Sequence, residues 1–189
     1  MSVFLDHLAA TLVGTTVVVV LATIVLGGRS EAVQQARYDI HREQARMLST
    51  ILEDDLRNAG AGVPPSQSAL VEASDGAISF RVKEGFGNSP VRTVRYQRVG
   101  TGTVAVGSSS VPAYAIERTV DGDLRQRVEG LTELAFELRD ADGAPTADLA
   151  RGRAVHVRFA IGAPSADPTG IDPRARYRRA VQMPNLRTD

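Results

Sequence analysis

The sequence predicts an α+β protein: a long N-terminal α-helix, half membrane-like and half amphipathic, packed on a small antiparallel β-sheet. Three observations carry this prediction. An uncharged apolar run extends from Leu8 to Gly28. Apolar residues then recur at three- and four-residue spacing from Val33 to Leu56. After Pro65 the pattern changes to short runs of alternating character separated by turn residues.

The run LAATLVGTTVVVVLATIVLGG, coiled as a helix, spans about 32 Å, close to the roughly 30 Å hydrocarbon core of a bilayer. Thr11, Thr15, Thr16 and Thr23 can return their hydroxyls to carbonyls of the preceding turn. Gly14 suits a membrane helix, where glycine is common. A cleaved secretory signal would need a basic start and a shorter apolar core, yet Met1 to His7 holds no Lys or Arg. A buried core helix of this length would show an amphipathic face. The run therefore reads as a membrane-resident helix. Its orientation is weakly encoded, with Asp6 on one flank and Arg29, Glu31 and Arg37 on the other.

No helix stop follows Gly27-Gly28. In the next segment Val33, Ala36, Ile40, Met47, Leu48, Ile51, Leu52 and Leu56 make an apolar stripe, with Arg37, Asp39, Arg42, Glu43, Arg46 and Glu53 filling much of the remainder. Asn58-Ala59-Gly60 ends this helix and Pro64-Pro65 prevents its resumption. A continuous helix from Ser2 to Asn58 would be about 85 Å long. The organisation expected is thus 1–28 as the membrane-spanning half, 29–60 as the amphipathic half, and 61–189 as a globular β domain.

The strand candidates are Ala77–Val82, Val91–Val99, Ala113–Val120, Leu131–Arg139, Ala154–Gly162 and Tyr177–Met183. Leu134, Phe136 and Leu138 share one face with Thr132, and Val155, Val157, Phe159 and Ile161 alternate with His156 and Arg158. In VRTVRYQRV the two faces are Val91, Thr93, Arg95, Gln97, Val99 and Arg92, Val94, Tyr96, Arg98. Period-two alternation describes an antiparallel sheet with one covered and one wet face. Asp75-Gly76, Asp121-Gly122 and Asp142-Gly143 are strong turn dipeptides, the second turning Ala113–Val120 onto Leu124–Val128. Gly100–Pro112 and Pro164–Pro173 read as loops, and Ser66–Ser74 carries no clear pattern.

Composition removes several function classes. Lys plus Arg and Asp plus Glu are 22 each, so the net charge is zero and no general polyanion-binding surface is expected. Cysteine is absent, which excludes disulfides, thiolate metal sites and a thiol nucleophile. Aromatics at 5%, without Trp, leave little for a stacking surface. His7, His41 and His156 are isolated, and neither HExxH, GxSxG nor a phosphate-binding GxxxxGK[ST] occurs. An enzyme is not expected, and neither a cofactor, a metal nor a small-molecule substrate. Asp140, Asp142 and Asp148 place oxygen ligands in one loop but lack an EF-hand pattern, so a hairpin turn is preferred over Ca²⁺ binding. Arg92, Arg95 and Arg98, and Arg174, Arg176, Arg178 and Arg179, form two basic clusters; edge-strand charge is the favoured reading and DNA capture the lesser one.

The layout resembles that of type IV pilins and pseudopilins. Asp6 followed by LAATLVGTTVVVVLA resembles the pilin-like N-terminus, in which an acid at mature position five precedes an apolar helix. ILEDDLRNAGAG at 51–62 resembles the helix end of PilW-like minor pilins and J-type minor pseudopilins of type II secretion. VEGLTELAFELRDADG, RAVHVRFAIGA and YRRAVQMPNLR follow in that group's order. Met1 stands where the family's leader-terminating Gly would be, and its removal before Ser2 would set Asp6 at position five.

The resemblance implies a non-catalytic minor subunit that assembles through its N-terminal helix into a type IV pilus-like or type II secretion filament, at the tip as an assembly primer. The implied partners are other pilin-like subunits, an assembly platform and the inner membrane. The implied location is single-pass in the inner membrane with the globular domain extracytoplasmic, then a periplasmic or cell-surface filament. Ser2, Asp6, Gly14, Val17, Val18, Val19 and Val20 are the implied assembly residues. The residues alone leave Asp6 open between an assembly contact and an interfacial acid or N-cap, Gly14 between a packing site and a small membrane-helix residue, and the valines between filament core and lipid contact. The alternative function is a monomeric membrane-anchored binding module.

Overall fold

The computed structural model describes residue 18 and residues 32–83, 89–164 and 174–186. The chain divides into two compact units, Met1–Ile40 and His41–Asp189. Val18 and residues 32–40, the described part of the first unit, are helical. Helix α1 covers residues 32–57, of which 41–57 belong to the second unit together with seven strands.

The strands are β1 (Leu70–Ala73), β2 (Ala77–Lys83), β3 (Val91–Val106), β4 (Ser109–Val120), β5 (Asp123–Arg139), β6 (Ala154–Ile161) and β7 (Ala175–Gln182). They form one sheet in sequence order, every neighbouring pair antiparallel. This meander curves into a half-barrel in which strand far outweighs helix, 51% against 19% of the described residues.

That balance corrects the predicted fold class. The protein is not a long N-terminal helix on a small sheet; it is mainly a seven-stranded antiparallel sheet with a single described helix. The sheet was underestimated for local reasons. Ser66–Ser74 contains β1. Gly100–Pro112, read as a loop, is the distal part of the β3–β4 hairpin, paired from Gly102↔Ala113 to Val106↔Ser109. The two segments Leu124–Val128 and Leu131–Arg139 are one strand, which passes through Gly130 at φ +79°. Glycine adopts this left-handed conformation without steric cost.

The predicted single-pass inner-membrane placement is corrected as well. Among the described residues no helix is long and apolar enough to cross a membrane. The apolar run on which that expectation rested, Val18 excepted, lies outside the described residues.

α1 stops where the sequence indicates. Asn58 N donates to the Asp54 carbonyl at 3.1 Å, and Gly60 at φ +82° turns the chain so that its N–H reaches the Arg81 carbonyl at 2.8 Å. A Cβ at Gly60 would lie 2.8 Å from the Asn185 carbonyl oxygen, so both conformation and space require glycine here. Asp121-Gly122 joins β4 to β5 with φ values of +53° and +88°, the signs of a type I′ hairpin turn.

One core unites helix and sheet. Ala45, Leu48, Leu52, Leu56 and Ala59 are buried on the helix side, and Phe80, Tyr96, Leu134, Val157 and Phe159 are among the sheet residues in the same cluster. Leu134, Phe136 and Leu138 point inward, as do Val155, Val157, Phe159 and Ile161, in keeping with their alternation. In β3 the inward face is that of Val94 and Tyr96.

Candidate functional site: a helix held by two carboxylate latches

The inward stripe of α1 is narrower than its apolar content. Leu48, Leu52 and Leu56 are at most 1% exposed, whereas Val33, Ile40 and Met47 are 52%, 58% and 49% exposed. The predicted single stripe is therefore two sets of residues. One is spent on the sheet; the other is left at the surface.

Two acids near the helix end fix which side faces the sheet. At 100° per residue, Glu53 and Asp55 lie about 160° apart across the Leu52–Leu56 stripe, one on each flank. Asp55 accepts hydrogen bonds from Tyr96 Oη at 2.6 Å and from Arg118 Nε and Nη2 at 2.6 and 3.2 Å. It ties the helix to β3 and β4. Glu53 accepts from Tyr177 Oη at 2.7 Å, from Arg179 Nη1 at 2.9 and 3.0 Å, and from Arg57 Nη2 at 2.9 Å. It ties the opposite flank to β7. Glu53, expected on the solvated side, is 8% exposed, and its cost of burial is offset by these charge-assisted bonds.

Both phenols are held protonated. Burial, then the charge and hydrogen bond of Asp55, raises the Tyr96 pKa far above the ordinary phenol range. Burial, then the hydrogen bond to Glu53 and its charge, does the same at Tyr177. Phe159 stacks on Tyr177 at 4.9 Å between centroids, which fixes the ring that delivers this proton. Such donors, already committed to carboxylates, position a helix; they do not present a nucleophile.

The remaining predicted positions sort as follows. Ser2, Asp6, Gly14, Val17, Val19 and Val20 lie outside the described residues, and Val18 is helical and 65% exposed. In the acidic loop Asp140 Oδ1 accepts from the N–H groups of Asp142 and Ala144 while Oδ2 takes Arg151 at 3.0 Å; Asp148 Oδ1 accepts from Ala150 N–H. These carboxylates close turns, and among the described residues no group of three His, Asp or Glu side chains is placed to hold a metal. In the first basic cluster Arg95 pairs with Glu72 at 3.1 Å, and Arg98 pairs with Asp75 at 2.9 Å while also donating to the Leu134 carbonyl. In the second, Arg179 belongs to the Glu53 latch and Arg178 meets His156 at 3.4 Å. Burial, then the charges of Arg139 and Arg178, lowers the His156 pKa.

His41 lies against Gly162, where a Cβ would meet its Nδ1 at 2.6 Å; Gly162 also has φ +101°. A groove of about 470 Å³ separates the chain after α1 from the β5–β6 connection, bounded by Val63, Pro64, Pro65, Leu149, Arg151 and Leu186.

Sequence reading missed the latches because their partners come from distant strands. The available signal was an acid on each flank of the leucine stripe, with Tyr96 and Arg118 at inward-facing positions opposite one of them.

Comparison of the chain with protein-family models, with curated proteins and with solved structures returns no match.

Proposed function

We propose that the protein is a non-catalytic subunit of a pilin-like filament, joined to other pilin-like subunits through its helix. The observation that carries this reading is the unspent apolar surface of α1. Within the first unit Val33, Ala36 and Ile40 are exposed at i, i+3 and i+7, and within the second unit Met47 is 49% exposed while Leu48 and Leu52 are buried. Apolar residues at i, i+3 and i+7 share one helix face, and such a face suits packing against another helix. The sheet does not need Met47, since its own cover is Ala45, Leu48, Leu52 and Leu56. The Glu53 and Asp55 latches support the reading, because a helix that cannot roll keeps Met47 turned outward. The order of motifs described above, from the acid at Asp6 to YRRAVQMPNLR, supplies the kind of partner.

The test is incorporation of the full chain into sheared filaments of its native host. Ile40→Glu combined with Met47→Glu should leave the sheet folded and abolish recovery in the filament fraction. Wild-type-like recovery of the double variant would overturn the reading. The groove beside Pro64 and Leu149 favours a second reading, a monomeric binding module, under which the wild-type chain itself would be absent from filaments.

A further inference from the structure

The β3–β4 hairpin extends beyond the sheet that supports it. β2 pairs with β3 only as far as Gln97, and Arg98 N makes one further bond to the Gly76 carbonyl. β5 meets β4 no nearer its start than Tyr114. Beyond these points, Gly102–Val106 and Ser109–Ala113 pair only with each other among the described residues. A two-stranded ribbon is marginally stable by itself in water, and both of its edges present unpaired backbone groups.

Exposed edges elsewhere in the sheet are guarded. β7 carries Arg176, Arg178 and Arg179. β1 has four residues and a register break between Leu70 and Glu72. On the ribbon itself the β4 side holds Pro112, which cannot donate to an added strand. The β3 side has a register break between Gly100 and Gly102, but from Gly102 to Val106 it has no further break, no proline and no charge, and no charged residue occurs from Val99 to Ile116 in a chain that is 23% charged. The two faces of the ribbon also differ. Val104, Val106 and Val111 are half-buried and project to one side, while Thr103, Ser110 and Pro112 are exposed on the other.

We propose that this edge pairs with the same edge of a second copy of the chain, antiparallel, to make a four-stranded β4–β3–β3–β4 sheet about a two-fold axis. In an isologous antiparallel contact residue i meets residue j and j meets i, so a residue at the axis lies beside its own counterpart and a charge there would face a like charge. The β7 edge would bring arginines together; the β3 edge brings Gly, Thr, Ala and Val together. Two-fold pairing would also join the valine sides of both ribbons into one apolar patch. None of this depends on the filament reading, which uses the helix.

The experiment is a concentration series of the full chain by sedimentation equilibrium, with amide hydrogen exchange read at both ends of the series. The chain should dimerise, and amides between Gly100 and Val106 should gain protection as it does. Thr103→Lys, which puts like charges across the two-fold axis, should weaken dimerisation by about tenfold or more with the circular dichroism spectrum retained. Ser110→Lys, on the strand away from the joined edge, should weaken it far less. Because exchange locates the interface, a dimer made through α1 is told apart from one made through the ribbon. A monomer at every concentration, protection outside Gly100–Val106, or equal effects of the two lysines would overturn the proposal. Should Thr103→Lys unfold, the exchange pattern of the wild-type chain decides alone.

Discussion

Removing the Asp55 carboxylate should loosen the helix from the sheet at a cost that the structure lets one estimate. Asp55→Ala deletes three hydrogen bonds, from Tyr96 Oη and from two nitrogens of Arg118. A bond to a charged group contributes about 1.5–3 kcal/mol, and a buried donor left unpaired loses about 1–3 kcal/mol. Tyr96 is 1% exposed, so its hydroxyl finds no water in compensation. The Arg118 and Asp55 side chains keep 17% and 20% of their exposure, so the guanidinium rehydrates in part and its loss falls below that of a fully buried pair. The net expectation is about 3 kcal/mol. Urea denaturation followed by circular dichroism measures it. A double-mutant cycle with Arg118→Ala should return a coupling of about 1–3 kcal/mol. Tyr96→Phe, which removes one bond and its donor together, should cost only about 1 kcal/mol. If Asp55→Ala cost less than about 1 kcal/mol, or the cycle showed no coupling, the latch would not hold the helix and the argument for its fixed face would fail.

The other predictions concern the same interface. Leu52→Ala, at a site 0% exposed, should destabilise by about 2–5 kcal/mol, while Met47→Ala should stay within about 0.5 kcal/mol, both by urea denaturation. Gly162→Ala should cost about 1–3 kcal/mol from its positive φ and the approach of His41, and His41→Ala should recover only the part due to contact, as read from shifts in Tm. The raised pKa values of Tyr96 and Tyr177 mean that the folded state holds these protons more tightly than the unfolded one. Their stabilisation is complete below the unfolded phenol value of about 10 and declines as pH rises above it. Ultraviolet titration should therefore show both tyrosines ionising together with alkaline unfolding, and Tyr177→Phe should make stability less dependent on pH in that range.

What could be read from the sequence was local. The end of α1 at Asn58–Gly60, the Asp121-Gly122 turn and the inward sides of β5 and β6 each follow from neighbouring residues, and each is found in place. The size of the sheet was not local. Gly100, Gly102 and Ser108–Ser110 resemble loop composition, and only cross-strand pairing reveals them as a hairpin. Gly130 looks like a strand end because nothing nearby shows that both sides of it pair with the same neighbours. Apolar spacing likewise marks Met47 and Leu48 equally, and the sheet alone decides that one is buried and the other is not. The latches depend on β3, β4 and β7 meeting the last turns of one helix, a contact that only the assembled sheet defines.

The absence of cysteine lets a single introduced thiol report whether the outer face of α1 around Met47 meets another chain. A single Met47→Cys substitution in the full chain, cross-linked with a short bifunctional thiol–amine reagent in filaments of the native host, should yield adducts with other pilin-like chains. Arg42→Cys, on a different side of the helix, should yield few. Equal yields from the two positions, or no adduct from Met47→Cys in a folded chain, would contradict such an interface.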